Sequence, residues 1–552
     1  MDFSQLENIG TRECRVFAEK IFNRHRLIDN FLKTRYIKTA RAKGYKVANR
    51  ELAALDERLM FCGASAACSD DSICNLADVR ARQCENICND QAHDKIKHGG
   101  CVERLRLNLI AFCEYTSIEY PCTIAVNDGP DQRAEKIIKT ASRLKCAKWW
   151  RRRLRTVLGR QVEHVLRSIG FTRSGKSPYV SNWAVARFIA SQERNKKTIA
   201  RLEAVTRNDD GTELAVALKD CIEKSISNPV NRRNELMVRM RGYEEIAEGL
   251  RLTGLFFTLT TPSRFHAQYE RGGQNAKYDG STPLDALAHL NKMWSLIRAE
   301  WAREGIKAFG FRVAEPHHDG TPHFHFLLFF NPVDVANAKK IFGDYALSVD
   351  GDEKGAMEKR WDCKEIKREF GSATGYIAKY VAKNIDGFAV GTDEEGQCLA
   401  DEGALRARAW ASIWGIRQFQ PIGSVSVTVW RELRRQREIF SDAVPEVVEA
   451  LRDAADRGEW CEFVNLMGGA YVRRDEQTLR PAYVENASLS SVYGDVVKRL
   501  VGIMLRPVYT RLIDRLQISP VIATREKVWA IRERDISREL REAKPPDLDL
   551  CQ

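Results

Sequence analysis

No apolar run in this 552-residue chain reaches the roughly 18 residues that a membrane-spanning helix requires, so an integral helical membrane protein is excluded. The opening MDFSQLENIG has neither the basic nor the apolar region of a secretory signal. A cytoplasmic protein is the expectation. There is no GxxxxGK[ST] loop, which removes the commonest nucleotide-driven motor, and no CxxC pair, which weakens a zinc reading. The 15 cysteines are odd in number and unevenly spread, a pattern for reduced thiols and not for a disulfide scaffold. Internal repeats and low-complexity tracts are missing as well. Histidine is scarce, at 10 residues, yet four fall in EPHHDGTPHFHFLLFF at 315–330. Such crowding needs a chemical reason.

What remains is globular in composition, 44% hydrophobic and 30% charged, and too long for one ordinary core. A formal charge of +13 favours a polyanionic partner, since clustered Lys and Arg release counterions from a phosphate backbone. The expected class is α+β, in four parts. Residues 1–140 form a helical, cysteine-rich region where Cys84 and Cys88 share a helical face, as a zinc site or as buried thiols. No zinc site is assigned there. Residues 141–248 are helical and basic, and CAKWWRRRLRTVLGRQVEHVLRSIG (146–170) sets Trp149 and Trp150 beside Arg151, Arg152, Arg153 and Arg155. Rings that stack on bases next to guanidinium groups that grip phosphate suit DNA. An amphipathic helix with core tryptophans and a solvated basic face fits the same residues. Farther on, Leu236, Met240, Tyr243 and Ala247 lie at helical spacing.

From 249 to 390 the texture changes. LFFTLTTPS (255–263) reads as a strand; Thr282 and Pro283 open a helix that carries Leu287, Leu290, Trp294, Ile297 and Trp301 along one face. IKAFGFRVAE (306–315) and HFHFLLFF (323–330) read as a hairpin, and 374–384 as a further helix. This is the grammar of an antiparallel sheet with helices packed on it. Beyond it, a polar loop GTDEEGQ (391–397), a β-like run SVSVTVW (424–430) and amphipathic helical patterns make 391–552 a mainly helical C-terminal region.

Residues two apart on a strand face the same way, so His323 and His325 point together while Phe324 faces the opposite side. Two imidazoles on a strand buried on both faces form half of a divalent-metal site. Glu315 is the natural third ligand if the hairpin loop is of odd length, centred on Asp319 or Gly320; a two-residue turn would set it opposite Phe324 instead. Pro316 and Pro322 lack a backbone N–H and discourage pairing next to the turn, which favours the longer loop. His317 and His318 then fall in the loop, as substrate contacts or loop polarity.

GSATGYIAKYVAKNIDG (371–387) places Tyr376 and Tyr380 at i, i+4 on one helical face, with Lys379 and Lys383 at the same offset. A phenol is a poor nucleophile at its free pKa near 10, but a divalent cation on a phosphate and a nearby ammonium make it competent. Core tyrosines with snorkelling lysines fit the spacing equally.

Paired histidines on a strand followed by paired tyrosines on a helix resemble the HUH superfamily of single-strand DNA endonucleases. The closer resemblance is to the replication gene A proteins of tailed bacteriophages, carried by FFTLTTPSRFH, FRVAEPHHDGTPHFHFLLF and GSATGYIAKYVAKNIDG, with WWRRRLR and SNPVNRRNELMVRMRGYE upstream. It covers about residues 145 to 435 and leaves both ends unmatched. The resemblance implies an antiparallel HUH endonuclease domain that initiates rolling-circle replication, in the cytoplasm of a bacterial host. His323 and His325 would hold Mg2+ or Mn2+, with Glu315 third by the residue reading. Tyr376 and Tyr380 would be nucleophiles toward single-stranded or supercoiled origin DNA, with Lys379 and Lys383 stabilising phosphate charge, and a host helicase and replication machinery would be partners. A plasmid relaxase, a tyrosine transposase, a hydrolytic metal nuclease and a noncatalytic DNA-binding protein are the rival readings.

Overall fold

Strands that are apolar from end to end need cover on both faces, and this requirement sets the arrangement around the histidines. The computed structural model describes residues 4–98, 102–208, 210–366, 371–388, 391–393, 395–436, 445–491, 493–506, 521–525 and 527–534. Helices from Arg12–Arg24 to Pro130–Leu144 pack with helix α1 (Ala147–Ser168) around Leu32, Leu52, Cys84, Cys113, Trp150 and Leu154. Cys84 and Cys113 are buried thiols, and among the described residues no cysteine joins a group able to hold a metal. His93 and His98 have no described side chains.

Helix α2 (Pro229–Gly249) leads into strand β1 (Thr253–Leu259), helix α3 (Pro283–Arg303), strands β2 (Ala308–Pro316) and β3 (Pro322–Phe330), helix α4 (Val335–Ala346) and strand β4 (Trp361–Glu365). Thr282 caps α3 as expected, accepting from the Asp285 N–H while Asp285 reaches back in a capping box. Helix α5 (Ala373–Ile385), helix α6 (Ala400–Trp414) and strand β5 (Phe419–Ile422) follow. The sheet order is β5-β2-β3-β1-β4, antiparallel throughout. β3 is central and all nine of its residues are buried.

Its two faces have different covers. Phe324, Phe326, Leu328 and Phe330 pack under α3 and α4 with Trp294, Trp301 and Phe342. Leu327 and Phe329 continue the histidine face and pack with Phe256, Phe311, Tyr243 of α2 and Ile377 of α5. Close approach of β2 to β3 requires Gly310, at φ +150°, where a Cβ would lie 2.0 Å from the Leu327 carbonyl oxygen.

Two expectations are corrected. SVSVTVW is not a strand: Val427–Leu433 is helical, because Val425, Val429 and Leu433 recur at i+4 and bury together, a period hidden by the alternating polar letters. The mainly helical C-terminal region also fails beyond 466, where β6 (Leu479–Ser490) and β7 (Val496–Leu505) form a hairpin. Strand β5 lies past 390 yet completes the central sheet, and Ala530–Glu533 pairs with Leu202–Arg207, so the C-terminal part is shared with earlier units.

Candidate active site

The hairpin register decides the site. Pro316 pairs with Pro322 and Glu315 with His323, leaving a five-residue loop, 317–321, centred on Asp319. This odd loop puts Glu315 on the histidine face. Its Oε2 lies 3.6 Å from His325 Nε2 and 4.0 Å from His323 Nε2, and the two Nε2 atoms are 2.9 Å apart. All three residues are buried. Burial pushes His325 down to about 3 and His323 well below its ordinary value, so both imidazoles offer neutral lone pairs. Burial pushes Glu315 up to about 7, against the pull of Lys383. Thr258 on β1 bonds His325 Nδ1 at 3.0 Å, and Asn384 of α5 donates to Glu315 while accepting from Gln418 at 2.8 Å. His325 is thus steadied from β1, and Glu315 from α5 with Gln418 behind it.

The loop is pinned from α1. Arg167, 1% exposed, donates to the Asp319 carbonyl at 2.8 Å, to Thr321 Oγ1 at 2.7 Å and to the Phe265 carbonyl at 2.7 Å. Burial alone would raise the Asp319 carboxyl, but Arg167 and His266 hold it well below the usual range. Gly320 takes φ +82°, with its carbonyl accepting from Trp410 Nε1 at 2.8 Å. In this frame the His317 ring stacks on His323 at 4.0 Å, and His317 Nδ1 meets Glu395 at 3.1 Å. His317, His323 and Glu395 therefore form a second group able to hold a metal ion, next to Glu315, His323 and His325. His318 instead turns to the Gln268 carbonyl at 3.3 Å.

Helix α5 brings the tyrosines alongside. Ser372 caps it, and Glu244 of α2 accepts from the Ala373 N–H at 2.6 Å, which aims its first turn. Tyr380 sits with its ring 4.4 Å from His325, and Phe256 supports both, 5.2 Å from Tyr380 and 5.4 Å from His325. Tyr376, 41% exposed, meets the same Phe256 edge-on at 4.8 Å. Burial, then Glu315, push the Tyr380 phenol up. The lysines part company. Lys379 is exposed and lines a cavity of about 790 Å³ with Arg233 and Phe388. Lys383 is buried, 3.2 Å from Asp393 and 3.3 Å from Glu395; burial would lower it, but Glu315, Glu395 and Asp393 keep it raised. Its charge is already matched, so it positions Glu395 instead of reaching a phosphate unaided.

The basic helix lies elsewhere. Trp150 is fully buried in the N-terminal core with its Nε1 on the Leu144 carbonyl, so it cannot stack on a base, and Trp149 packs edge-on against it. Arg155 grips Asp70 at 2.8 Å through both nitrogens, Arg151 faces Asp78 at 3.4 Å and Arg153 faces Glu119 at 3.3 Å. Arg152 is exposed. Amphipathic packing accounts for most of this stretch.

The family model for the bacteriophage replication gene A protein (GPA) matches residues 74–388, more than half of the sequence, from within the helix Asp70–His98 through the tyrosines. The chain belongs to the bacteriophage replication gene A protein family. Relatives within reach of this family include the replication protein of Haemophilus phage HP1, 40% identical over 406 residues, which cover 73% of this chain and 50% of that protein. The replication gene A protein of Escherichia phage 186 is 40% identical over 361 residues, 64% of this chain and 51% of its own. A probable replication endonuclease from a prophage-like region of Salmonella paratyphi A is 34% identical over 385 residues, 67% of this chain and 47% of its own. The chain thus spans about half the length of the curated relatives it matches. No solved structure matches it. In this gene A protein family member, no helix among the described residues is long and apolar enough to cross a membrane.

Phe256, Glu395 and Arg167 escaped the sequence reading. Phe256 reads as one more strand aromatic, and Glu395 stands in a polar loop without a period; the short spacing of Asp393 and Glu395 after a lysine-bearing helix is a signal that could have marked it.

Proposed function

We propose that this chain is a rolling-circle replication initiator of the HUH type, which nicks one strand of its phage origin and rejoins strands through phosphotyrosine. The observation that carries the reading is the seating of Tyr380 against His325, beside a converging set of two neutral imidazoles and one carboxylate. That donor set fits a divalent ion: two nitrogens and an oxygen, all buried, on elements that fix their rotamers. Imidazole ligands suit Mn2+ better than Mg2+, which prefers oxygen. The ion would supply polarisation of the scissile phosphate.

The chain's own groups do the rest. A tyrosine hydroxyl forms a bond to phosphorus as the P–O3′ bond breaks; its proton leaves with the 3′ oxygen, and the 5′ phosphate stays on tyrosine. Each phosphodiester is exchanged for another, so rejoining needs no nucleotide hydrolysis. The second tyrosine, one turn away on the same Phe256 platform, serves the second exchange. Single-stranded DNA would enter through the cavity of about 910 Å³ that reaches His317 and Glu395, walled by the exposed Arg271, Lys277, Lys354 and Lys359. Lys379 would contact phosphate from the other side of α5. A relaxase or transposase of the same superfamily would use the same groups on a different DNA, and the gene A family membership favours the phage origin.

The test is to incubate the full chain with labelled single-stranded origin DNA and Mn2+ and look for an adduct that survives denaturant. The adduct should form, should vanish in His323→Ala, and should vanish in a Tyr376→Phe, Tyr380→Phe double variant. Cleavage by the double variant would make water the nucleophile and the protein a hydrolytic nuclease.

A further inference from the structure

Glu315, His323 and His325 are almost sealed, with side chains 1%, 4% and 9% exposed, and line neither the cavity beside α5 nor the larger one that reaches His317 and Glu395. An ion must nevertheless reach them. His317 and Glu395 are 23% and 29% exposed, line the larger cavity, and together with His323 make up the second group of converging donors. His323 thus belongs to both sets. Its Nε2 faces His325 and Glu315, while its Nδ1 is buried with no hydrogen-bond partner, as is His317 Nε2. A neutral imidazole carries one N–H and one lone pair, and either one buried without a partner costs free energy, which calls for a group or an ion that meets it.

We infer that His317, His323 and Glu395 form an outer loading position for a divalent cation, from which the ion passes to the inner set through the shared His323. The inference rests on the metal reading proposed above. The outer set meets the requirements of a port. It stands between solvent and the inner donors, it offers an anionic oxygen to draw a cation from the cavity, and it shares a ligand with the destination, so the ion need not be released to water in between. Glu395 is steadied for this by Lys383 on one oxygen and by His317 on the other. Because the inner three ligands set the final affinity, the outer pair governs rates in both directions.

The prediction separates kinetics from equilibrium. Mn2+ uptake and release by the full chain are followed by rapid mixing with a metal indicator, without DNA. Glu395→Gln and His317→Asn should each slow uptake by about tenfold, the smaller end of what a charged entrance contributes, and slow release equally, so that Kd stays unchanged. Glu315→Gln should instead weaken Kd. Two separate replacements guard against a local collapse of the loop, and circular dichroism checks each fold. Unmoved rates in both variants would overturn the loading position alone. A weakened Kd with unmoved uptake would make Glu395 a final ligand and overturn it too. A parent chain that takes up no Mn2+ would overturn the underlying metal site.

Discussion

Tyr380 and Tyr376 share a helical face but not an environment. Tyr380 is the partly buried one, its ring against both His325 and Phe256, whereas Tyr376 reaches Phe256 from an exposed position. Proximity to the donor set is the ground on which we propose Tyr380 as the initiator. Tyr380→Phe keeps both ring contacts and deletes only the hydroxyl, so it should abolish nicking of supercoiled origin DNA while leaving the fold intact. Tyr376→Phe should still nick, but should fail to close and release unit circles. Gel analysis of the topological products distinguishes them, and the reverse pattern would exchange the two roles. At this scale the sequence showed the groups that lie on regular elements. His323, His325, Tyr376 and Tyr380 follow from periods of two and four, and Glu315 from the parity of a loop. Glu395 and the burial of Lys383 did not follow, because a partner brought in by an irregular loop leaves no period to read.

Among the elements, α1 fits the amphipathic alternative better than the DNA-contacting one. Its outward arginines drew attention, yet its structural contribution comes from Glu163 and Arg167, two charges in its buried stripe. Arg167 holds the histidine loop, while Glu163 accepts from the Ser181 N–H at 2.9 Å and from the hydroxyls of Ser181 and Thr172, tying α1 to the start of the next helix. A charged letter on an apolar face looks like a flaw in a pattern until its partners are known. Burial pushes Glu163 up to about 7 from an ordinary 4.5, despite those donors. The folded chain therefore holds a proton that the unfolded chain releases. Stability from this group is complete below about pH 4.5, falls by at most about 1.4 kcal/mol per pH unit, and levels off above about pH 7. His164, pushed down to about 4 by burial, acts in the opposite sense but is common to parent and variant. Glu163→Gln should gain on the parent in urea midpoint between pH 4.5 and 7 and hold a constant lead above. A difference that does not vary with pH would show that Glu163 ionises in the fold as it does in the unfolded chain.

For the whole molecule, the proposed function raises the question of where the charge of +13 would meet DNA. The central sheet was legible in β1, β2 and β3, which are long, apolar and bounded by turn residues, and not in β4, which is five residues long, polar in sequence and largely exposed. Its fifth strand, Phe419–Ile422, was not, being short and contributed from beyond the segment that looked like a domain. The same long-range assembly redistributes charge. Arg151 and Arg155 face Asp78 and Asp70 of the helix Asp70–His98, and Arg153 faces Glu119 in the loop after Val102–Tyr115, so much of their field is cancelled before a phosphate arrives. Arg271, Lys354 and Lys359 are exposed around the cavity that opens on His317 and Glu395. Counterion release counts only phosphate contacts actually made, so the two groups should separate in a salt titration. Replacing Arg271, Lys354 and Lys359 with Ala should lower affinity for single-stranded origin DNA and flatten the dependence of log K on log salt by about 0.7 per lost contact. Replacing Arg151, Arg153 and Arg155 should leave that slope unchanged and lower thermal stability, because Asp78, Glu119 and Asp70 lose their partners. A flattened slope from the arginine set, with none from the cavity set, would return the DNA track to α1 and would require the strand to reach the tyrosines from the opposite side of α5.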